Sequence, residues 1–251
     1  MAIQKTEGIL LRRLDLRETS LILTFYTKDF GKIKGIVRGV RGSRSGLNCG
    51  GNMEIFALDG IVFYERRKSD IFTISQCDLL DFFAPLRESL EKLSYAAYLI
   101  ELIDSVTALG DANQEAFDLL LNSLRLLAGE SSTKRVARIF EIKLLHILGL
   151  MPTLEKCANC GGGSDGSGRF SIRQGGLICK KCLHSDRDAR PILQGTIKFI
   201  EHIRSLPFEK VARIKVAAEV GRELERILRR FLDYHIGRRL KTVEFLKSIE
   251  K

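Results

Sequence analysis

The chain has 251 residues, 45% of them hydrophobic and 29% charged, the balance of an ordinary soluble globular protein with room for more than one core. No apolar run approaches a membrane span, and the opening Met-Ala-Ile-Gln-Lys-Thr-Glu-Gly lacks the apolar stretch of a secretory signal. Cys49 and Cys77 have no nearby partners to suggest a disulfide framework, so a reducing, cytoplasmic setting is expected. The formal charge of +10 favours a polyanionic partner, either nucleic acid or acidic protein segments. That charge is uneven. Residues 1–80 carry +4, residues 81–156 carry −3, residues 157–185 carry +3 and residues 186–251 carry +6.

The first eighty residues predict strands at Glu7 to Leu16, Thr19 to Thr27, Lys32 to Val40, Glu54 to Tyr64 and Ser69 to Cys77. Turn signals such as Asp29-Phe-Gly31 and Asp59-Gly60 bound them. Five strands in about eighty residues is the size of a small closed barrel, of which the oligonucleotide-binding (OB) fold is the commonest form. A five-stranded sheet of another topology is the alternative. From Pro85 the periodicity turns helical through Leu86, Leu90, Leu93, Ala97, Ile100 and Ile103. Further helices are predicted from about Asn113 to Ala128, from Thr133 to Leu148, and from Val216 to Ile236, with Gly129 and Gly149 as stops.

Between the helical runs stand Cys157-Ala-Asn-Cys160 and Cys179-Lys-Lys-Cys182. Two C-x-x-C knuckles at this spacing place four thiolates around one ion, and a site filled by four protein sulfurs leaves no position for substrate. One structural Zn²⁺ on Cys157, Cys160, Cys179 and Cys182 is expected; disulfides or idle thiols are the other use of such a set. His184 is expected to face solvent or to lie beyond the ligands. The fold class that follows is α+β and multidomain: an N-terminal OB-fold β-barrel, then an all-helical domain with an inserted zinc-binding module. The divisions are 1–80 for the barrel, 81–152 and 186–251 for the helical domain, and 153–185 for the four-cysteine zinc module.

The segment from Lys28 to Gly46 holds six cations, Lys28, Lys32, Lys34, Arg38, Arg41 and Arg44, against the single acid Asp29. Lys32 and Lys34 share a strand face, and the arginines continue into a glycine-rich loop, a combination suited to phosphate oxygens. Contact with nucleic-acid phosphates is therefore expected at Lys32, Lys34, Arg38, Arg41 and Arg44, a solvated basic loop being the alternative. Tyr26 and Tyr64 are the aromatic residues expected to face outward for base stacking. Arg222, Arg226 and Arg230 form a stripe on the C-terminal helix, either a second DNA or acidic-peptide contact or a solvated face. Nucleotide-binding, metalloprotease and serine-hydrolase motifs are missing, which predicts a non-enzyme without a small-molecule substrate.

Glu18-Thr-Ser-Leu-Ile-Leu-Thr-Phe-Tyr-Thr27, Gly31-Lys-Ile and Val37-Arg-Gly-Val-Arg-Gly-Ser-Arg44, followed by helices and the paired C-x-x-C motifs, resemble the bacterial RecO family over essentially the whole chain. Many relatives carry Leu-x-Pro after the basic loop, where this chain has Gly51-Asn-Met-Glu54. The resemblance implies a DNA repair and recombination mediator that binds single- and double-stranded DNA and anneals complementary strands. It also implies partnership with RecR, contact with the acidic C-terminal tail of the single-stranded-DNA-binding protein, support for RecA loading, and a nucleoid-associated, cytoplasmic location. Arg125, Arg135 and Arg138 are candidates by position for the rim of a groove taking that tail. A zinc-ribbon RNA-binding or transcription-associated module is the alternative function.

Overall fold

A computed structural model describes residues 3–16, 18–40, 48–49, 53–64, 71–129, 131–163, 168–211 and 214–249. The expected Arg41 and Arg44 lie outside these residues. The chain forms two compact units, one of residues 1–133 with 240–251 and one of residues 134–239. The sequence-based division separates the barrel from every helix; the units instead keep the first helices with the barrel.

In the first unit, β1 (Ile3–Leu16) is long enough to serve two partners. Its first half pairs antiparallel with β5 (Leu58–Tyr64), and its second half pairs antiparallel with β2 (Ser20–Thr27). β2 pairs with β3 (Gly31–Val37), and β5 pairs with β6 (Ile71–Asp81). Parallel pairing of β3 with β6 then closes the ring, giving the five-stranded OB-like barrel. Gly35 leaves room for Ile74 at this seam, because a Cβ there would stand 2.3 Å from Ile74 Cδ1. Inward-facing Leu10, Leu23, Phe25, Ile33, Phe63 and Ile74 fill the barrel, as strand alternation requires. The short β4 (Asn48–Cys49), not foreseen from the sequence, runs parallel to β6 and sets Cys49 opposite Cys77 in backbone register.

The first predicted helix is divided into α1 (Ala84–Arg87) and α2 (Leu90–Val106), since Ser89 turns extended and its side chain caps Lys92 N. Asn113 Oδ1 accepts from Ala116 N at 2.9 Å and starts α3 (Gln114–Ala128). The α2–α3 connection lies against the barrel. Gly31 occupies the left-handed region at φ +61°, and a Cβ there would come within 2.1 Å of the Asp111 carbonyl oxygen. Gly110 N donates to the Lys32 carbonyl at 2.9 Å.

The second unit takes in nearly all of α4 (Thr133–Ile147), then α5 (Gln194–Ser205), α6 (Phe208–Val211) and α7 (Ala218–Ile236). α7 buries Leu224, Ile227, Leu228 and Phe231, the stripe expected from its sequence, and Gly237 at φ +70° ends it. Glu223 fixes α5: it accepts from Leu193 N at 2.8 Å and from Thr196 Oγ1 at 2.5 Å. Strands β7 (Arg169–Ser171), β8 (Gly176–Ile178) and β9 (Arg190–Pro191) form a small separate sheet. The remaining helix, α8 (Lys241–Ile249), belongs to the first unit and is capped by Glu101, which accepts from Thr242 N at 2.8 Å.

Candidate nucleic-acid interface and metal centre

Cross-strand register lays out the outer face of the barrel. Tyr26 stands opposite Lys32, and Thr24 stands opposite both Lys34 on β3 and Arg12 on β1. These two rows meet different surroundings. The Tyr26 row lies under the helices: its phenol is fully buried, its hydroxyl donates to the Asn113 carbonyl at 3.4 Å, and its ring approaches Phe117 at 6.5 Å. Burial, with Asp111 nearby, pushes that phenol up to about 12, so it stays neutral. Lys32 shares the cover. Its ammonium donates to the Asp104 carbonyl at 2.8 Å and lies 3.1 Å from Asp104 Oδ1.

One row further along, the cover ends. Lys34 and Arg38 are exposed, and neither has an ion-pair partner among the described residues. Arg12 is half exposed and pairs with the second oxygen of Asp104. Arg12, Thr24, Lys34 and Asp104 line a cleft of about 250 Å³. Strand spacing places Arg12 and Lys34 two strands, about 10 Å, apart across Thr24. The outer face thus offers cations at Arg12, Lys34 and Arg38, while Asp104 neutralises the deepest one.

The four cysteines of the second unit converge on a point. Their sulfurs all lie within 4.8 Å of one another, with Cys157 and Cys182 buried and Cys160 exposed. In the first knuckle Cys157 N donates to Gly162 O and Gly161 N donates to Cys157 O, both at 2.8 Å. Gly161 turns through φ +71°. In the second, Cys182 N donates to Cys179 O at 3.0 Å at the start of a 3₁₀ turn, Lys180–Ser185. The β7–β8 hairpin returns the chain from one knuckle to the other, and Gly176 lets the backbone of Thr153 pass at a distance no Cβ would allow.

The donor set suits one thiophilic ion. Tetrahedral zinc with Zn–S near 2.3 Å needs sulfurs about 3.8 Å apart, and Cys160 and Cys179 stand at 3.9 Å. Burial opposes ionisation of Cys157, but backbone N–H groups of Cys160, Cys179 and Asn159 outweigh it and hold the thiol below its ordinary value. Cys182 is favoured as a thiolate by Asn159, yet burial and its three neighbouring cysteines push it up. A dication among four thiolates removes that conflict. His184 is exposed and turns Nδ1 to the Lys181 carbonyl at 2.9 Å, so it stands outside the cluster.

Residues 1–83 match the family profile described as Recombination protein O N terminal, and residues 87–244 match Recombination protein O C terminal. The chain belongs to the RecO family. It is 35% identical to the DNA repair protein RecO of Pelotomaculum thermopropionicum over 98% of this chain and 94% of that protein. The corresponding protein of Alkaliphilus metalliredigens is also 35% identical, over 98% and 99% respectively. That of Bacillus pumilus is 30% identical over 98% and 94%. Among the described residues of this RecO-family chain, no helix is long and apolar enough to cross a membrane.

Several expectations change against this geometry. Tyr26 faces out of the barrel but under helix, so it is no stacking platform; Tyr64 is half-buried. Lys32 is a buried, ion-paired lysine with its charge already committed. Arg138 is buried against Glu141 at 2.8 Å rather than rimming a groove, while Arg125 is exposed. Arg12 was missed altogether. The Arg12-Arg13 doublet inside a strand was its signal, since one of two successive strand residues must face outward.

Proposed function

We propose that this chain is a recombination mediator: it binds single- and double-stranded DNA, anneals complementary strands, and acts with RecR to load RecA onto DNA coated with single-stranded-DNA-binding protein. The observation that carries this reading is the family match across both halves of the chain, set beside exposed cations on one face of an OB-like barrel. Within it, Lys34, Arg38, Arg41 and Arg44 contact phosphates, Arg12 extends the row, and Lys32 positions the strand from beneath. Contacts to phosphate are blind to sequence, and an annealing factor must accept any complementary pair.

The protein works by binding and not by turnover. The four-cysteine centre holds Zn²⁺ as a structural ion through Cys157, Cys160, Cys179 and Cys182, whose sulfurs complete the metal's coordination. The acidic tail of the single-stranded-DNA-binding protein is its second partner, and the site of action is the nucleoid.

Annealing of complementary strands precoated with single-stranded-DNA-binding protein, followed by fluorescence, tests the proposal. Acceleration by this protein, lost in Arg38→Ala/Arg41→Ala/Arg44→Ala, is the expected result. No acceleration with or without RecR, from a folded and metal-loaded sample, overturns it. A strong preference for RNA over DNA would favour a transcription-associated role instead.

A further inference from the structure

The second unit holds a cleft of about 440 Å³ where β7 and β9 meet α7. Arg173, Arg190, Arg226, Arg230 and Arg239 reach into it. All five are exposed, and only Arg226 has a carboxylate partner among the described residues, Glu223 at 3.6 Å. Asp186, Asp188 and Asp233 share the cleft, so five cations face three anions; Asp186 is held in place by accepting from Ser171 Oγ at 2.5 Å and from Asp188 N at 2.9 Å. Phe170 packs edge-on against Phe231 at 6.0 Å, which ties the sheet to the helix and keeps the cleft walls in register.

Arg226, Arg230 and Tyr234 follow one another at four-residue intervals, about 6 Å of helix rise each. That spacing is comparable to the step between phosphates of a stretched single strand. Tyr234 is 57% exposed, and His235 meets its ring edge to face at 5.6 Å. An open aromatic face beside a row of cations is the arrangement that holds single strands by stacking and charge together. A peptide's apolar anchor would need an enclosed pocket. Here Phe170 and Ile227 are already buried in the floor, at 4% and 7% exposure, which leaves an open face and no socket.

We propose that this cleft is a second single-strand contact, with phosphates on Arg190, Arg230 and Arg239 and a base stacked on Tyr234. The inference rests on the DNA-binding reading above and extends it: with one contact in each unit, a single chain holds two strands. Sequence-independent binding of that kind brings complementary strands together by raising their local concentration.

The test uses the full, metal-loaded chain and a fluorescein-labelled oligo-dT, titrated over a range of salt. Arg38→Ala/Arg41→Ala/Arg44→Ala should retain residual binding. Adding Arg230→Ala/Arg239→Ala should weaken it several-fold further, and in the otherwise unchanged chain this pair should lower the salt slope by roughly 1.4, about 0.7 per phosphate lost. Tyr234→Ala should weaken binding at least about fivefold, the low end of losing one stacked base, while Tyr234→Phe keeps the ring and restores it. All three side chains are exposed, and unchanged thermal unfolding confirms the fold of each variant. If the barrel-loop variant alone loses all oligo-dT binding, the second contact is overturned while the DNA-binding reading stands. If the unmodified chain fails to bind oligo-dT, the broader reading fails first. Cleft variants that bind oligo-dT normally but lose a labelled Asp/Phe peptide would show a peptide site and overturn the proposal.

Discussion

Replacing Lys32 or Asp104 separates structural charge from binding charge on the barrel. Lys32 Nζ and Asp104 Oδ1 are 3.1 Å apart, with side chains only 11% and 7% exposed. At that distance and an effective dielectric near 20, their attraction is about 5 kcal/mol, a gain largely offset by desolvation of both ions. The pair is thus close to neutral in net stability, yet costly to break from one side. Asp104→Leu strands a buried ammonium with one carbonyl acceptor and should cost about 3–5 kcal/mol. Lys32→Met should cost less, about 2–3 kcal/mol, because Asp104 keeps the half-exposed Arg12. The double variant should recover at least about 2 kcal/mol relative to the sum of the singles. Urea unfolding of the four proteins closes this cycle, and scanning calorimetry should show shifts of roughly 2–4 °C per kcal/mol. Binding gives the second axis. Lys32→Met should leave oligo-dT affinity and its salt slope unchanged, whereas Lys34→Ala should lower the slope by about 0.7. Additive stability losses, or a Lys32→Met slope matching that of Lys34→Ala, would refute the assignment of Lys32 as a structural cation.

Asp59 sits in the barrel wall at 2% exposure with Oδ2 unpartnered among the described residues, and burial, then Asp78, pushes its carboxyl up to about 7. A raised folded value means stability present at low pH is lost as pH climbs towards 7. Asp59→Asn should therefore be more stable by about 1–2 kcal/mol at pH 8, allowing for solvent screening, with the gain vanishing below pH ~4; a gain that grows on acidification would contradict the sign. Gly31→Ala should cost about 2–4 kcal/mol through backbone overlap with Asp111. Gly110→Ala, also at positive φ but with open space around it, should cost only about 1–2 kcal/mol, so equal losses in chemical denaturation would count against the packing argument. Elemental analysis should find one zinc per chain, lost in Cys157→Ser/Cys182→Ser. Chelation should open the 153–190 segment to limited proteolysis and leave the barrel protected; a metal-free preparation with full protection there would remove the structural role.

The barrel was legible because its strands alternate and its turns carry glycine, and the helices because their ends are ordinary: Asn113 and Gly149 do what their types do best, whereas the Ser89 cap divides a run whose apolar periodicity reads as continuous. The cysteine centre was legible because ligand spacing is itself the signal. The misreading of Tyr26 and Lys32 has one physical cause. Strand parity assigns Tyr26 and Lys32 correctly to the outside of the barrel, since they face each other across β2 and β3 opposite the inward Phe25 and Ile33. Parity says nothing about what packs on that outside. The α2–α3 connection does, held by Gly31 and the Gly110–Lys32 bond, and it turns an outward tyrosine and lysine into buried residues.

That cover also shapes the chemistry left exposed. By spending Asp104 on Lys32 and Arg12 together, the fold places one carboxylate beneath a face whose outer positions, Lys34 and Arg38, have no ion-pair partner among the described residues. Arg12 sits between the two regimes, held by a partner yet half in solvent, where an arriving phosphate competes for it. A strand bound there would meet mobile cations at Lys34 and Arg38 and a positioned one at Arg12. On the proposed reading, charge of this kind would hold a polyanion yet release it, as handing a strand from one protein to another demands. The same division recurs in the second unit, where Arg138 is sealed against Glu141 while Arg230 and Arg239 face solvent. Net charge alone distinguishes none of these; burial and pairing decide which of the 41 basic residues can act on a ligand.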